Sequence, residues 1–245
     1  MSNNIIYINQ IIKQTLQGEG KRLGYPSTLI RVNKCNLKCS FCDSKQTWSD
    51  NTIQYIDEKT IDVFIKQILS YKMKNIMLTG GEPLLYANDS IFWKLVETFK
   101  NKLEIETNGI LMTEEILLRF KQNKTQINLG PKLSSTVYTD LEQYSHLIPT
   151  YKQIFNILDK DNYNVKFVYP NVPWEKINSF IKETKCDINN VFLMPLTPNK
   201  NGNKLFNLDY KKNIKKTIKK CLENNIMYSP REHINIFDFD IEEKV

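Results

Sequence analysis

Three of the five cysteines, Cys35, Cys39 and Cys42, fall within eight residues as Cys-x-x-x-Cys-x-x-Cys. Thiolates are soft ligands that select zinc or the iron of iron–sulfur clusters. A structural zinc site closes a tetrahedron with four ligands, and no fourth is at hand. Cys186 and Cys221 lie more than 140 residues away in predicted helices, and the chain has two histidines, His146 and His233. A multi-histidine metal site is therefore excluded, and a histidine-based dyad has few candidates. Three thiolates leave one iron of a cubane cluster open to an exogenous amino and carboxylate group. Burial as a small apolar side chain suits Cys186 and Cys221. It does not suit a loop that also carries Asn36, Lys38, Ser40 and Asp43.

The glycines are placed as unevenly as the cysteines. Seven of eight precede residue 131: Gly18, Gly20, Gly24, Gly80, Gly81, Gly109 and Gly130, with Gly202 apart. Glycine is needed where the backbone takes positive φ or approaches another group closely, so this clustering predicts several tight loops serving one site. The elements that must hold these loops alternate. Strands are predicted over Thr28–Asn33, Asn75–Leu78, Leu103–Glu106, Gln126–Leu129, Asn164–Tyr169, Asn190–Met194 and Ile226–Tyr228. Helices are predicted over Thr60–Tyr71, Asp89–Phe99, Thr113–Gln122, Thr139–Leu147, Pro173–Thr184 and Asp209–Asn224, with Thr197–Asn207 a loop. Strand–helix alternation at this spacing implies right-handed βαβ units and a parallel sheet, curved into a barrel or part of one. The cysteine loop, Gly80–Gly81–Glu82–Pro83, Asn108–Gly109 and Gly130–Pro131–Lys132 each follow a strand. They therefore share the C-terminal edge, where parallel α/β proteins place their chemistry.

Composition narrows the class. With 41% hydrophobic and 25% charged residues the chain is expected to be globular, neither disordered nor collagen-like. Its apolar runs are too short for a membrane span, Met1–Gln10 does not read as a signal peptide, and an odd number of cysteines suits a reducing compartment. A cytoplasmic protein without a membrane partner is expected. The formal charge of +7 raises the question of nucleic acid, but the lysines of Lys211–Lys220 lack interleaved aromatics and read as a solvated helix face.

The cysteine spacing with Phe41 before the last cysteine, followed by Gly80–Gly81–Glu82–Pro83, resembles the radical S-adenosylmethionine (SAM) superfamily. A narrower resemblance, to 7-carboxy-7-deazaguanine synthase, rests on Thr15–Leu16–Gln17–Gly18–Glu19–Gly20, Gly24, Pro26 and Arg31. It continues in Cys42–Asp43–Ser44, Glu106–Thr107–Asn108–Gly109, Pro131–Lys132 and Lys166–Phe167–Val168. It implies an α/β fold, a partial (β/α)6 TIM-type barrel of parallel strands with outer helices. Residues 1–245 would form one core domain with short N-terminal and C-terminal extensions. It also implies conversion of 6-carboxy-5,6,7,8-tetrahydropterin to 7-carboxy-7-deazaguanine with loss of ammonia, in queuosine-type biosynthesis. The cofactors implied are a 4Fe–4S cluster, SAM and Mg²⁺. The implied chemistry is hydrogen removal at C6 by a 5′-deoxyadenosyl radical, then ring contraction, so no side chain is assigned as catalytic.

By the same resemblance Cys35, Cys39 and Cys42 hold the cluster and Ser44 holds Mg²⁺. Leu16, Gln17, Gly18, Arg31 and Thr79 contact the substrate, and Gly81, Glu82, Glu106, Gly130, Pro131 and Lys132 contact SAM. Glu19, Gly80, Asn108, Lys166, Arg231 and His233 border the site. Residue chemistry suits these roles: the Gln17 amide matches pterin edges, and the Arg31 fork matches a carboxylate, although a strand-edge salt bridge would also account for Arg31. Glu82 would accept from the SAM ammonium or from a loop amide. The sequence departs from the family at Gly130, where Ser–Pro–Lys is usual, and at Ser44, where Thr is usual; the tail Ile236–Val245 runs past the usual end. Expected partners are the pterin, an electron donor such as flavodoxin, and a second copy in a homodimer. The alternatives are a glycyl-radical-enzyme activating protein and a basic iron–sulfur RNA-binding module.

Overall fold

The computed structural model describes residues 4–49, 52–133, 142–197 and 205–236. Nine strands form one sheet: β1 (Ile6–Leu16), β2 (Pro26–Val32), β3 (Gln54–Ile56), β4 (Asn75–Gly80), β5 (Leu103–Thr107), β6 (Gln126–Leu129), β7 (Tyr163–Tyr169), β8 (Val191–Pro195) and β9 (Met227–Tyr228). Their order is β3-β1-β2-β4-β5-β6-β7-β8-β9. The crossovers carry α1 (Ile61–Ser70), α2 (Ser90–Thr98), α3 (Glu114–Gln122), α4 (Glu142–Ile157), α5 (Trp174–Thr184) and α6 (Leu205–Asn224), and a short α7 (Glu232–Ile236) follows β9.

From β2 through β9 every pairing is parallel, as strand–helix alternation requires. The expected parallel strands with outer helices are present, and the sheet is extended at one edge by strands the sequence did not reveal: β1 pairs antiparallel with β2 and with β3. Strand β1 escapes a periodicity reading because its register with β2 shifts between Ile8 and Gln10 and again between Ile12 and Thr15, breaking the two-residue alternation. Helix α4 continues past the expected end at Leu147, through Pro149, to Ile157. Residues 139–141 of that expected helix lie outside the described residues, as do Gly202, most of the loop expected over Thr197–Asn207, and residues 237–245. Helix α6 begins at Leu205, four residues before the expected Asp209.

Side chains alternate across each strand, and this sheet separates them by chemistry. Ile30, Val32, Ile76, Leu78, Ile105, Ile127, Leu129, Val165, Phe167 and Leu193 are buried in one hydrophobic cluster with Phe64, Phe92, Phe120 and Phe180 of the helices. The register sets the opposite face in polar rows: Arg31 beside Thr79, Glu104 beside Gln126, Glu106 beside Asn128, and Asn128 beside Asn164. That polar face is rolled inward. The loop between β1 and β2 reaches β7 and the residues after β9: Lys166 Nζ lies 2.8 Å from Glu19, and Gly20 N donates to Ser229 Oγ at 2.9 Å. Those strands stand four and six places from β2 in the sheet order, so only a curled sheet brings them together.

Phe120 shows what the helix side contributes. Its fully buried ring lies 5.4 Å from Trp93 and 6.3 Å from Phe92. Phe120→Ala is expected to cost about 3–5 kcal/mol in denaturant unfolding. Leu118→Ala, on the exposed side of the same helix, is expected to stay within about 0.5 kcal/mol of the parent.

Candidate active site

The cysteine loop leaves β2 and is fastened at once to the end of β4. Gly81 N donates to Val32 O at 2.9 Å, and Glu82 N donates to Lys34 O at 2.8 Å. The two backbones approach so closely that no side chain fits between them. A Cβ on Gly80, where φ is +130°, would stand 2.2 Å from Val32 O, and one on Gly81 would stand 1.7 Å from Lys34 O. The glycine pair is therefore first a seat for the residues entering Cys35. With the Gly81 N–H committed to Val32, this stretch can still offer carbonyl oxygen, an acceptor suited to an ammonium group.

Glu82 ties the next loop in. It is buried, its Oε1 accepts from Leu84 N at 3.0 Å and Thr107 Oγ1 at 2.7 Å, and its Oε2 accepts from Asn108 N at 2.9 Å. Burial raises its pKa against the pull of these donors. Of its two expected roles, acceptance from loop amides is the one these contacts describe. Asn108 then donates through Nδ2 to Asn36 Oδ1 at 2.9 Å, so the loops after β2, β4 and β5 form one laced mouth.

Within that mouth Leu37 N and Ser44 N donate to the sulfurs of Cys35 and Cys42, each at 3.4 Å. Burial pushes the Cys35 thiol up to about 11, with Glu82 and the other two thiols adding to the rise. Cys39 and Cys42 are raised for the same first reason. Three thiols that resist ionisation yet receive backbone donors suit a group that brings its own positive charge. Among the described residues no three Cys, His, Asp or Glu side chains converge as a single ion requires. Thiols spread along one loop suit a cluster in which each binds a different iron. Cys186 and Cys221 are buried in the hydrophobic cluster.

Below the mouth the interior is charged. Lys166 Nζ lies 2.8 Å from Glu19 Oε2 and 2.7 Å from Glu106 Oε2, and Arg231 Nε lies 2.9 Å from Glu19 Oε1. Arg231 also donates to Asp43 and to Thr197 Oγ1. Burial alone would raise Glu19, but Lys166 and Arg231 hold it well below the usual carboxylate range. Glu106 has only its share of Lys166, and burial leaves its pKa raised. Asn128 Nδ2 bridges Glu106, at 2.7 Å, and Glu104. Asn75 Nδ2 also donates to Glu104, at 2.7 Å.

Arg31 and Gln17 both turn polar groups with capacity to spare toward this interior. Arg31 is 8% exposed, and its guanidinium donates to Gln10 Oε1 at 3.2 Å and to Ser44 Oγ at 3.0 Å. No carboxylate forms a salt bridge with it among the described residues, which removes the strand-edge salt bridge as its explanation. Gln17 is buried; its Oε1 accepts from Glu19 N at 3.1 Å, while its Nε2 has no hydrogen-bond partner among the described residues. Thr79 sits beside Arg31 in the sheet register. Gly18 packs against His233, and Leu16 is half exposed at the end of β1. Gly130 N donates to Thr107 O at 2.8 Å, leading through Pro131 to Lys132, whose Nζ lies 5.9 Å from the centre of the Phe41 ring. The Ser44 hydroxyl, expected to hold Mg²⁺, accepts from the Arg31 guanidinium and donates to Asp43 Oδ1 at 3.0 Å.

The radical SAM superfamily model matches residues 29–182, from β2 through α5. The chain is 32% identical over 212 residues to 7-carboxy-7-deazaguanine synthase of Buchnera aphidicola, covering 78% of this chain and 85% of that one. The chain belongs to the 7-carboxy-7-deazaguanine synthase family. It is also 26% identical to the Aquifex aeolicus synthase, over 75% of this chain and 77% of that relative. Its fold is shared with QueE from Escherichia coli, at a TM-score of 0.57 and 19% identity over 93% and 94% of the two chains. It is shared too with anSMEcpe bearing bound AdoMet, at a TM-score of 0.55 and 20% identity over 84% of this chain and 64% of that one. Membership of the radical SAM superfamily implies a 4Fe–4S cluster and SAM. Relatives of the synthase family across most of the chain leave the activating-protein and RNA-module alternatives without support. Among the described residues no helix is long and apolar enough to cross a membrane.

The sequence reading gave no role to Asn75, Glu104, Asn128, Asn164 or Arg22, which fill the interior below the family's charged residues. Arg22 Nη1 donates to Asn75 Oδ1 at 2.6 Å, and Asn164 Nδ2 donates to Asn128 Oδ1 at 2.6 Å. Their signal was present: polar residues alternate with Ile or Val in Glu104–Ile105–Glu106, Gln126–Ile127–Asn128 and Asn164–Val165–Lys166.

Two predictions follow from this geometry. Gly81→Ala is expected to lower the iron bound per chain after reconstitution severalfold, because its Cβ would displace the backbone entering Cys35. Gly130→Ala, whose Cβ would meet only the Lys132 amine at 3.2 Å and Thr107 O at 3.8 Å, is expected to load normally. Burial depresses the His233 imidazole from 6.5 to about 4, with Arg231 and Lys166 acting in the same sense and Glu19 and Asp43 opposing. The unfolded chain binds the proton first, so stability is full above pH 6.5 and falls as pH drops toward 4. Relative to His233→Gln, the parent is expected to lose about 1–2 kcal/mol across that window in denaturant titrations, a figure reduced because water reaches 31% of the side chain.

Proposed function

We propose that the protein converts 6-carboxy-5,6,7,8-tetrahydropterin to 7-carboxy-7-deazaguanine with release of ammonia. The observation that carries this reading is Arg31, a buried guanidinium with no carboxylate salt bridge among the described residues, held beside the cysteine loop through Ser44. Such a cation is costly until an anion joins it. The substrate brings a carboxylate, and a two-pronged guanidinium pair is the strongest geometry available for it. The unpartnered Gln17 Nε2 supplies a donor for the acceptor-rich pterin, and Thr79, beside Arg31, supplies a hydroxyl.

When bound, the 4Fe–4S cluster and SAM supply a carbon-centred radical able to take a hydrogen atom from the substrate. Cys35, Cys39 and Cys42 would hold the cluster. The carbonyl edge of Gly80–Gly81 and the stretch Gly130–Pro131–Lys132 would hold SAM. Glu106, raised by burial and sharing one amine with Glu19, is the interior carboxyl best placed to hold a proton. The segment around Arg231 and His233 covers Gly18 and Glu19 and limits water. Lys34, Lys38 and Lys45 are exposed around the cysteine loop, which supports an acidic electron donor such as a flavodoxin.

The test is anaerobic reconstitution followed by incubation with SAM, a reductant and 6-carboxytetrahydropterin. Stoichiometric 5′-deoxyadenosine and 7-carboxy-7-deazaguanine are expected; SAM cleavage without the deazaguanine would refute the substrate. Arg31→Met is expected to lower kcat/KM for the pterin by about 100-fold, the loss of one charge-assisted pair. SAM cleavage without pterin should be unchanged in that variant, and Arg31→Lys is expected to fall between.

A further inference from the structure

Arg231 is 7% exposed, and its three guanidinium nitrogens go to three different parts of the chain. Nε donates to Glu19 Oε1 at 2.9 Å, Nη2 to Asp43 Oδ2, and Nη1 to Thr197 Oγ1. Glu19 lies in the β1–β2 loop, Asp43 directly follows Cys42, and Thr197 lies just beyond β8. The separations in sequence are 212, 188 and 34 residues. The base of the arginine is fixed as well: Gly20 N donates to Ser229 Oγ at 2.9 Å, and Glu232 N donates to Gly18 O at 3.1 Å. The C-terminal segment thus lies along Gly18–Gly20 and sends one side chain across to the cysteine loop.

We propose that Arg231 is a positioning residue that fixes the distance between the cluster-binding loop and the substrate-facing segment, by holding Asp43, Glu19 and Thr197 at once. The proposal rests on the pterin reading above. A planar guanidinium can meet three acceptors in fixed directions. An ammonium on the same backbone keeps the charge without that geometry. Arg231 therefore does two separable things. Its charge balances the Asp43 carboxylate beside Cys42, which bears on the cluster's reduction potential. Its shape holds two walls of the site in register, which bears on whether a radical formed at one wall reaches substrate held by the other.

The test uses the full chain, reconstituted anaerobically, as parent, Arg231→Gln, Arg231→Lys and Asp43→Asn. Two quantities are read at matched iron content: the midpoint potential of the cluster, and the ratio of 5′-deoxyadenosine to deazaguanine product. Arg231→Gln is expected to lower the potential and raise the ratio at least about tenfold, since a misplacement of about 1 Å can cost about 100-fold in rate. Arg231→Lys is expected to restore the potential but not the ratio, and Asp43→Asn to raise the potential. A lysine variant that restores both quantities would overturn the proposal, because charge alone would then suffice. A parental ratio in either Arg231 variant would overturn it too. Should Arg231→Gln fail to fold, the lysine variant decides by its ratio. A parent that cleaves SAM yet makes no deazaguanine sinks the pterin reading instead. In that case an unchanged potential in both Arg231→Gln and Asp43→Asn counts against the clamp.

Discussion

A carboxylate enclosed by protein loses hydration that a single neighbour seldom returns, and this sheet encloses three on its inner face or against it. Glu19, Glu104 and Glu106 are each met by more than one donor: Lys166 and Arg231 for Glu19, Lys166 and Asn128 for Glu106, Asn75 and Asn128 for Glu104. Those donors come from β4, β6, β7 and the segment after β9. Satisfying the acids therefore fixes where the β1–β2 loop lies and how far the sheet curls. The antiparallel β1 is essential to this, because it returns the chain to the foot of β2 with Gln17–Tyr25 free to enter the barrel. The helix-facing side is ordinary hydrophobic packing. The inner side is a network in which each member holds another in place.

The mouth obeys a different constraint, one of space. Gly80 and Gly81 are required by the carbonyls of Val32 and Lys34, within 2.2 Å and 1.7 Å of where a Cβ would stand. The motif thus acts on the cysteine loop before it acts on any ligand, and Glu82 carries the coupling to Thr107 and Asn108. Loops after three adjacent strands become one rigid rim, and rigidity there keeps a reactive group from meeting water or the wrong atom.

How much of this was legible in the sequence follows from how local each signal is. The cysteine spacing, the double glycine and the capping Thr113, which accepts from Ile116 N at 3.3 Å, are readable because the interacting residues are neighbours in the chain. The parallel strands are readable because their apolar runs face helices. Strand β1 is not, since its bulges break the alternation and its pairing comes from β2 and β3. Arg231 and Lys166 were named through resemblance alone, and nothing in their own surroundings says that they meet at Glu19. Glu104, Asn128 and Asn164 were legible in principle: a polar residue at every second position of a buried strand must face something polar. At Ser44 the hydroxyl is visible in sequence, while the Arg31 guanidinium from which it accepts is not.

The charges around the interior also bear on which ligand it accepts. Arg31, Lys166 and Arg231 lie among Asp43, Glu19 and Glu106, with the buried Glu104 met by Asn75 and Asn128 on the same face. Lys166 and Arg231 are engaged with the acids, whereas Arg31 touches only an amide and a hydroxyl. A neutral heterocycle would leave Arg31 as costly as before. A dianion would bring more charge than one guanidinium answers. On the proposed reading a ligand carboxylate would pair with Arg31, and Glu106, whose pKa burial raises, would be the neighbouring acid readiest to hold a proton. On this reasoning carboxylate binding and proton retention at Glu106 are linked.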